Sequence, residues 1–271
     1  MATLQIITAL SALRTEYFED AALSIVKTSE LLRQQGGHEL RWSVCVDGPE
    51  PSRDVTAMID HVTASATLCR LGAHMGVSVA RNTALSISKA PPTSWVMAVD
   101  GDDIVDASGM CALAQRLASM DAKNSRLTWV GTNRLELSGE PPHYWTPKER
   151  YFEPGELNRV YAHPFSIHPN NVIYHAASID SIGGWPATPG GEDLALLLRV
   201  AKDHPGMVSP EVTLRYRRWP GQVTATESFL DQRPLRYEYY ERCDLLAGRS
   251  ASEMRRPQHH GPVTSKQQTT P

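Results

Sequence analysis

Three aspartates stand close together near the middle of the chain, directly after the apolar run 95–99. They are Asp100, Asp102 and Asp103. Carboxylates this close repel one another, and burying them together is costly without a cation. Hard divalent ions take oxygen ligands and share their sites with substrate phosphates. The cluster therefore favours a metal and phosphate site, while a solvated acidic turn before a helix capped by Asp106 explains the cluster alone equally well.

Acidic residues also follow two other predicted elements. Asp47 comes directly after the apolar segment 42–46. An acid there can bind a ribose hydroxyl or a base imide, but it can also simply form an Asp-Gly-Pro turn. Glu192 and Asp193 follow two glycines and open an apolar helical segment. Asp193 could remove a proton from a substrate hydroxyl, or the pair could serve only to cap the helix.

One arginine lies in a segment suited to close approach. Gly76 is followed by small residues and then by Arg81, in the sequence Gly-Val-Ser-Val-Ala-Arg-Asn. The glycine allows a turn, the small residues allow close packing at a helix start, and Arg81 can reach an anionic ligand. As an isolated pattern this is weak, and an exposed helix arginine is the alternative.

Strand and helix patterns alternate along the chain, as in βαβ units around a mostly parallel sheet. Apolar spacing predicts strands at 4–10, 42–46, 67–71, 95–99, 127–137, 171–174 and 212–217. It predicts helices at 17–34, 53–61, 77–89, 107–120, 192–202 and 227–247. Open α/β sheets bind ligands at the carboxyl ends of their strands, which is where the aspartate cluster stands.

The order of these motifs over residues 3–225 resembles glycosyltransferase family 2. Asp47 after a strand is followed by GVSVARN, then VDGDD, then GGW with GGEDLALLLR. The resemblance implies an α/β fold of the GT-A (Rossmann-like) kind, a single domain with a mostly parallel central sheet flanked by helices. It also implies metal-dependent, inverting transfer of a sugar from a nucleotide diphosphate sugar, with a UDP-sugar as the default donor. The domain is expected at 1–248, with a nucleotide-binding half at about 1–105 and an acceptor half at about 106–248.

The resemblance also implies roles for individual residues on the donor side. Asp47 and Arg81 would hold the base and ribose of the nucleotide. Asp102 would be the main ligand of Mn²⁺ or Mg²⁺, and Asp100 beside it would contact the metal or the ribose.

On the acceptor side, the resemblance makes Asp193 the catalytic base and Glu192 its support. Trp185 would line the sugar or acceptor pocket. The segment 139–169 is rich in Pro, Tyr and His and long for a simple connection, so it is expected to form a binding loop. Its aromatic and histidine side chains could contact a sugar, although anchoring the loop is the commoner role: Tyr144, Trp145, Tyr161, His163 and His168.

The sequence departs from the family pattern at two places. Val46 stands where the family often has the first of two aspartates, so only one acid is present. Trp219 replaces a histidine often found after the family's Tyr-Arg segment. If that histidine contacts metal or phosphate in relatives, Arg217, Arg218 or His168 could contribute instead.

Composition limits the partners of the chain. A net charge of −3 gives no general attraction to nucleic acid or anionic lipid. No apolar run approaches the ~20 residues of a membrane span, and the four cysteines are widely spaced, so a cytoplasmic protein is expected. A soluble small-molecule or glycan acceptor then fits best, for example in natural-product biosynthesis. The segment 249–271 has no apolar periodicity and is expected to be a disordered tail, and the sequence does not indicate the oligomeric state.

Two other functions are compatible with some of these motifs. A sugar nucleotidyltransferase would carry a glycine-rich basic loop after the first strand, but residues 8–14 contain no glycine. A non-catalytic nucleotide-sugar-binding module would keep Asp47 and Asp102 without needing an acid at Asp193.

Overall fold

The computed structural model describes residues 1–123, 125–138, 148–161, 167–188 and 190–246. The strands are β1 (Thr3–Ser11), β2 (Glu39–Asp47), β3 (Thr67–Arg70), β4 (Trp95–Ala98), β5 (Ile104–Val105), β6 (Trp129–Glu136), β7 (Arg150–Phe152), β8 (Val172–His175) and β9 (Gly206–Tyr216). The helices are α1 (Phe18–Gly36), α2 (Arg53–Val62), α3 (Val77–Ser88), α4 (Ala107–Ala122), α5 (Glu156–Val160), α6 (Ala176–Ser181), α7 (Glu192–Asp203), α8 (Glu227–Asp231) and α9 (Arg233–Arg242), with a short 3-10 helix at Val223–Ala225.

These strands form one sheet in the order β3-β2-β1-β4-β8-β6-β9-β5, and β7 also pairs with β9. The neighbours among β1 to β4 are parallel, as are β6 and β9. The remaining pairs, which involve β8, β5 and β7, are antiparallel and shorter. Most paired residues therefore lie in parallel pairs, and the predicted mostly parallel sheet flanked by helices is confirmed. Since β8 runs opposite to both β4 and β6, these two strands end at the same edge of the sheet.

An apolar core lies on each face of the sheet. Helices α1, α2 and α4 bury side chains on one face, and α3, α6 and α7 bury theirs on the other. Successive side chains of a strand point to opposite faces, so Ile6 and Ile7 of β1 belong to different cores. Strands covered on both faces read as continuous apolar runs, which explains why β1 and β4 are visible in the sequence.

The carboxyl-terminal third departs from the predicted element bounds. The single helix predicted at 227–247 is wrong: it is two helices, α8 and α9, separated at Gln232. Pro234 stands in the first turn of α9, where its missing N–H costs nothing but a continuous helix would be broken. Strand β9 begins at Gly206 rather than at residue 212, because Pro210 and an irregular register with β6 interrupt its apolar pattern.

The short elements β5, β7, α5 and α6 have no counterpart in the sequence prediction, since each is too short to show a period. No helix among the described residues is long and apolar enough to cross a membrane. The predicted tail at 249–271 and the loop residues Tyr144, Trp145 and His163 lie outside the described residues. The domain boundary at 248 therefore stays a prediction.

Candidate active site

A cleft of about 890 Å³ opens where β1, β2, β4 and β6 end. Residues from distant parts of the chain meet there because the carboxyl ends of these strands share one edge of the sheet. Trp185 does not line the cleft, and neither do Tyr161 and Arg217, which the sequence offered as possible contacts. The other residues of the proposed site all line it: Asp47, Arg81, Asp100, Asp102, Glu192 and Asp193.

Asp47 ends β2 and fixes the loop that leads into α3. Its two carboxylate oxygens accept hydrogen bonds from the backbone N–H groups of Met75, at 2.6 Å, and Gly76, at 3.1 Å. His74 Nδ1 lies 3.0 Å from the same carboxylate. Gly76 has φ of +93°, which favours glycine, so the turn that starts α3 depends on both residues. The predicted contact of Asp47 with a nucleotide stays a prediction.

Arg81 joins carboxylates that come from two sides of the cleft. It lies in the second turn of α3 and is only 2% exposed. Its Nη2 donates to Asp100 at 2.8 Å, and its Nη1 donates to Glu192 at 2.7 Å and Asp193 at 2.9 Å. Burial alone would lower the pKa of Arg81, but the three carboxylates raise it above its usual value. Because these nitrogens face carboxylates, direct contact of Arg81 with a base or ribose stays a prediction.

Two glycines set the direction in which α7 begins. Gly190 and Gly191 have φ of +77° and +73°. A Cβ on Gly191 would lie 2.5 Å from the Tyr240 hydroxyl, so no larger residue fits there without a shift. This turn places the first two residues of α7, Glu192 and Asp193, over Arg81.

Asp193 is the carboxylate best suited to take a proton. Its Oδ1 accepts hydrogen bonds from Arg81 and, at 3.0 Å, from the indole Nε1 of Trp185. Burial raises the pKa of Asp193 to about 7, although both of these donors oppose the shift. A carboxyl group that titrates near neutral pH can act as a general base in water at that pH. The bonds of Oδ1 go to side chains, which a purely capping role would not require.

Trp185, which donates its indole N–H to Asp193, is only 2% exposed. Its backbone N–H donates to Asn82 Oδ1 at 2.8 Å, and its carbonyl accepts from Asn82 Nδ2 at 2.9 Å. Asn82 thus fixes the backbone of Trp185, and the indole of Trp185 in turn orients Asp193. The sequence-based role of Trp185, as a wall of the sugar or acceptor pocket, does not fit this buried position.

The three aspartates after β4 diverge instead of converging. Asp100 turns to Arg81, and Asp102 Oδ2 accepts from the indole Nε1 of Trp219 at 2.7 Å. Asp103 is fully buried, and its Oδ1 accepts from the backbone N–H of Arg217 at 3.0 Å. Burial and the charge of Asp100 raise the pKa values of both Asp102 and Asp103.

Within the ranges that the structure describes, no group of three or more His, Cys, Asp or Glu side chains is arranged to hold a metal ion. Asp100 and Asp102 nevertheless both line the cleft, and the charge of Asp100 raises the cost of ionising Asp102 in a partly desolvated place. Two such carboxylates fit a divalent ion that takes its other ligands from phosphate and water. They do not form a complete protein cage.

Trp219 occupies the position where the family pattern has a histidine. Its ring packs edge-on against Tyr17, with ring centroids 5.2 Å apart. The three residues considered as substitutes for the histidine are also engaged. Arg217 donates to the Asp102 carbonyl, Arg218 pairs with a glutamate on β6, and burial lowers the pKa of His168 to about 3.

Arg134, on β6, also lines the cleft and was not singled out from the sequence. Arg134 follows Thr132 and Asn133 and stands two residues before Glu136, so the sequence indicates a polar strand end and no buried arginine. The arginine is 5% exposed, which such a signal alone does not predict.

No protein-family model matches this sequence, and no curated protein matches it either. Solved structures do match. Residues 1–349 of S. aureus TarS in complex with UDP-GlcNAc match with a TM-score of 0.62 at 14% identity, over 91% of this chain and 71% of that chain. A longer TarS structure matches with the same TM-score and identity. The match covers 94% of this chain but only 41% of that chain.

A second protein with a similar fold is the mannosyltransferase PcManGT from Pyrobaculum calidifontis in complex with GDP-Man and Mn²⁺. It matches with a TM-score of 0.52 at 14% identity, over 87% of this chain and 61% of that chain. At such low identity the likeness shows the fold alone. The chain has the GT-A fold. The structural neighbours are GT-A glycosyltransferases, so the fold implied by the resemblance is confirmed.

Proposed function

We propose that the chain is an inverting glycosyltransferase of the family 2 kind, which moves a sugar from a nucleotide diphosphate sugar to an acceptor hydroxyl or amine. One observation carries the proposal: Arg81 ties Asp100, on the donor side of the cleft, to Asp193, a carboxyl with a pKa near neutral. With Asp193 as the proton acceptor, this arrangement would hold it at a fixed position relative to the acid that follows β4, which supports the proposal.

Asp193 is the catalytic base in this proposal. Direct displacement of the nucleotide diphosphate requires that the attacking hydroxyl lose its proton on the face opposite the leaving group. Asp193 accepts that proton, and Glu192 shares Arg81 with it and keeps the arginine in place. Trp185 orients Asp193 through its indole N–H. A single displacement inverts the anomeric carbon, and it needs no nucleophile from the protein.

Asp100 and Asp102 would hold Mn²⁺ or Mg²⁺, which when bound offsets the charge that develops on the leaving diphosphate. Both carboxylates line the cleft, and the raised pKa of Asp102 beside the charge of Asp100 supports this assignment. Asp47 and Arg81 would hold the base and ribose. The Mn²⁺ in the PcManGT structure is consistent with a divalent ion, although it belongs to that protein.

A uracil nucleotide is the proposed donor carrier. The family resemblance gives it as the default, and TarS is bound to UDP-GlcNAc and to UDP in its structures. PcManGT is bound to GDP-Man, so a guanine nucleotide is the alternative to test. We propose a soluble small-molecule or glycan acceptor and a cytoplasmic location, both from the composition of the chain.

A sugar nucleotidyltransferase or a non-catalytic binding module are the rival functions. The β1–α1 loop contains no glycine, which disfavours the first. The module would bind nucleotide sugars but would have no use for an acid with the environment of Asp193. Slow hydrolysis of a bound nucleotide sugar by the purified protein favours the enzyme over the module.

The test is a thermal-shift titration with UDP-GlcNAc, UDP-glucose and GDP-mannose, each with and without Mn²⁺. We expect one of these to raise the melting temperature in a saturable, Mn²⁺-dependent manner. Asp102→Ala should remove the Mn²⁺ dependence, whereas Asp60→Ala, at an exposed aspartate of α2, should retain it. No shift with any of them, or undiminished Mn²⁺ dependence in Asp102→Ala, would contradict the donor site or its metal ligand, respectively.

A further inference from the structure

Arg134 is a buried arginine that lacks partners for part of its guanidinium group. Its Nε and Nη1 atoms are buried and have no hydrogen-bond partner among the residues that the structure describes. The guanidinium carbon lies 3.9 Å from the centroid of the Tyr216 ring, so the group is held by stacking. Burial lowers the pKa of Arg134, and it outweighs Tyr216, Asp103 and Glu136, which raise it.

Neither of the two nearby acids forms an ion pair with Arg134. Asp103 is close enough to influence the pKa of Arg134, but it forms no ion pair with it, and its own Oδ2 is also buried without a described partner. Glu136, on the same strand, is paired through both oxygens with Arg218. His168 is neutral near pH 7, because burial and the charge of Arg134 lower its pKa.

The position of Arg134 in the sheet assigns it to one side of the cleft. It lies on β6, which is separated from β4 only by β8, on the side away from β1, β2 and β3. Adjacent strands are roughly 4.8 Å apart, so β6 is about 10 Å from β4. Asp47 and Asp100 follow β2 and β4, so Arg134 lies beyond them along the sheet, and it belongs to the range 106–248 proposed to bind the acceptor. Of the acids after β4, Asp103, next to the proposed metal ligand Asp102, is nearest to this side.

We propose that Arg134 anchors an oxyanion-binding subsite in the acceptor half of the cleft, and that the acceptor therefore carries a phosphate or carboxylate group. This inference rests on the proposed function. Arginine N–H groups match the oxygens of phosphate and carboxylate, and such bonds are stronger when both partners are charged. The neutral His168 and the amide of Asn170, which also line the cleft, provide further polar groups near Arg134.

The donor diphosphate is the other oxyanion that could reach this arginine. The position of Arg134, two strands beyond β4, favours the acceptor as the source. The two sources differ in one respect that can be measured. An acceptor subsite stays open when a nucleoside diphosphate fills the donor side, whereas a diphosphate subsite is then blocked.

Inorganic phosphate is the probe for this subsite, titrated by calorimetry against the full chain. We expect saturable binding by the wild type and a loss of roughly tenfold or more in affinity in Arg134→Met, as expected for a lost hydrogen bond to a charged group. Arg33→Met, at an exposed arginine near the far end of α1, should bind phosphate like the wild type. Arg134→Lys keeps the charge without the planar donors and should show an intermediate loss, and it replaces the Met variant if that one does not fold.

A structural role for Arg134 predicts the opposite pattern. Arg134→Met would then melt at a lower temperature in phosphate-free buffer, with unchanged phosphate affinity. The proposed subsite predicts an equal or higher melting temperature, since a poorly compensated buried charge is removed. An absence of phosphate binding by the wild type up to about 50 mM, well above the millimolar range of weak specific binding, would overturn the proposal.

A second titration, with UDP present at saturation, separates the sources. We expect phosphate to bind with the same affinity, and UDP to bind Arg134→Met as it binds the wild type. If UDP displaces phosphate and the variant weakens UDP binding, the acceptor assignment is overturned. If the wild type binds no nucleotide but its phosphate binding depends on Arg134, the subsite stands and the proposed glycosyl transfer fails.

Discussion

Two buried arginines line the same cleft, and they differ in what surrounds them. Arg81 is 2% exposed and donates to three carboxylates, whereas Arg134 is 5% exposed and has two nitrogens without a described partner. Burying a charge is tolerable when it is paired and hydrogen-bonded, and costly otherwise. Arg81 therefore belongs to the internal framework of the site. Arg134 is better explained by a partner that arrives with a ligand.

The acids of the cleft also differ in whether a positive charge is paired with them. Glu192 and Asp193 share the guanidinium group of Arg81 as their counter-charge. Asp102 has only neutral donors, such as the Trp219 indole, and burial with the charge of Asp100 raises its pKa. The first group is organised by the protein itself, and the second is suited to receive a cation.

The largest effect is expected from removing the paired arginine. Arg81→Met leaves three carboxylates close together without a counter-charge. Breaking a buried ion pair from one side typically costs about 3–5 kcal/mol, so we expect a loss of that order in the free energy of unfolding, measured in urea at pH 8. Turnover should also fall to background, because the position of Asp193 depends on Arg81.

Arg134→Met is the matched control at the unpaired arginine, and it should retain or gain stability under the same conditions. An equal loss of unfolding free energy in the two variants would contradict the view that Arg81 is compensated by carboxylates and Arg134 is not.

A smaller effect is expected in the pH dependence of turnover. The Trp185 indole N–H lowers the pKa of Asp193, so Trp185→Phe should raise that pKa further. A base works only when deprotonated, and therefore the acidic limb of the kcat/KM profile should move to higher pH. One hydrogen bond contributes roughly 1 kcal/mol, which corresponds to a shift of about one pH unit or less.

Trp95→Phe removes an indole N–H from Asp121, which does not line the cleft, and serves as the control for that profile. Its acidic limb should coincide with that of the wild type. A limb that stays in place in Trp185→Phe, or moves to lower pH, would show that another group governs the profile.

Local patterns were enough to predict the framework of the fold. Buried parallel strands such as β1 and β4 read as apolar runs, and the acids that follow strands stand at the ligand-binding edge because of chain direction alone. The helix predicted at 227–247 was wrong, since Pro234 starts a new helix instead of continuing the first one.

The partnerships within the site were not predictable from local patterns. Arg81 was expected to face a nucleotide, but its partners come from the turn after β4 and from α7, which no spacing rule relates to α3. Trp185 was expected on the pocket wall, and only the clamp from Asn82 explains its place beneath Asp193. Whether a charge such as Arg134 is paired depends on every element around it, so it can be judged only in three dimensions.

The most direct test of the proposed chemistry is the turnover of Asp193→Asn, measured beside its affinity for the donor. Asparagine keeps an oxygen that can accept from Arg81 and Trp185, and it removes a carboxyl whose pKa burial raises, so the fold and donor affinity should be maintained. We predict that turnover falls by roughly a hundredfold or more, as is usual when a general base is lost. A turnover close to that of the wild type, with unchanged donor affinity, would contradict the assignment of Asp193 as the base.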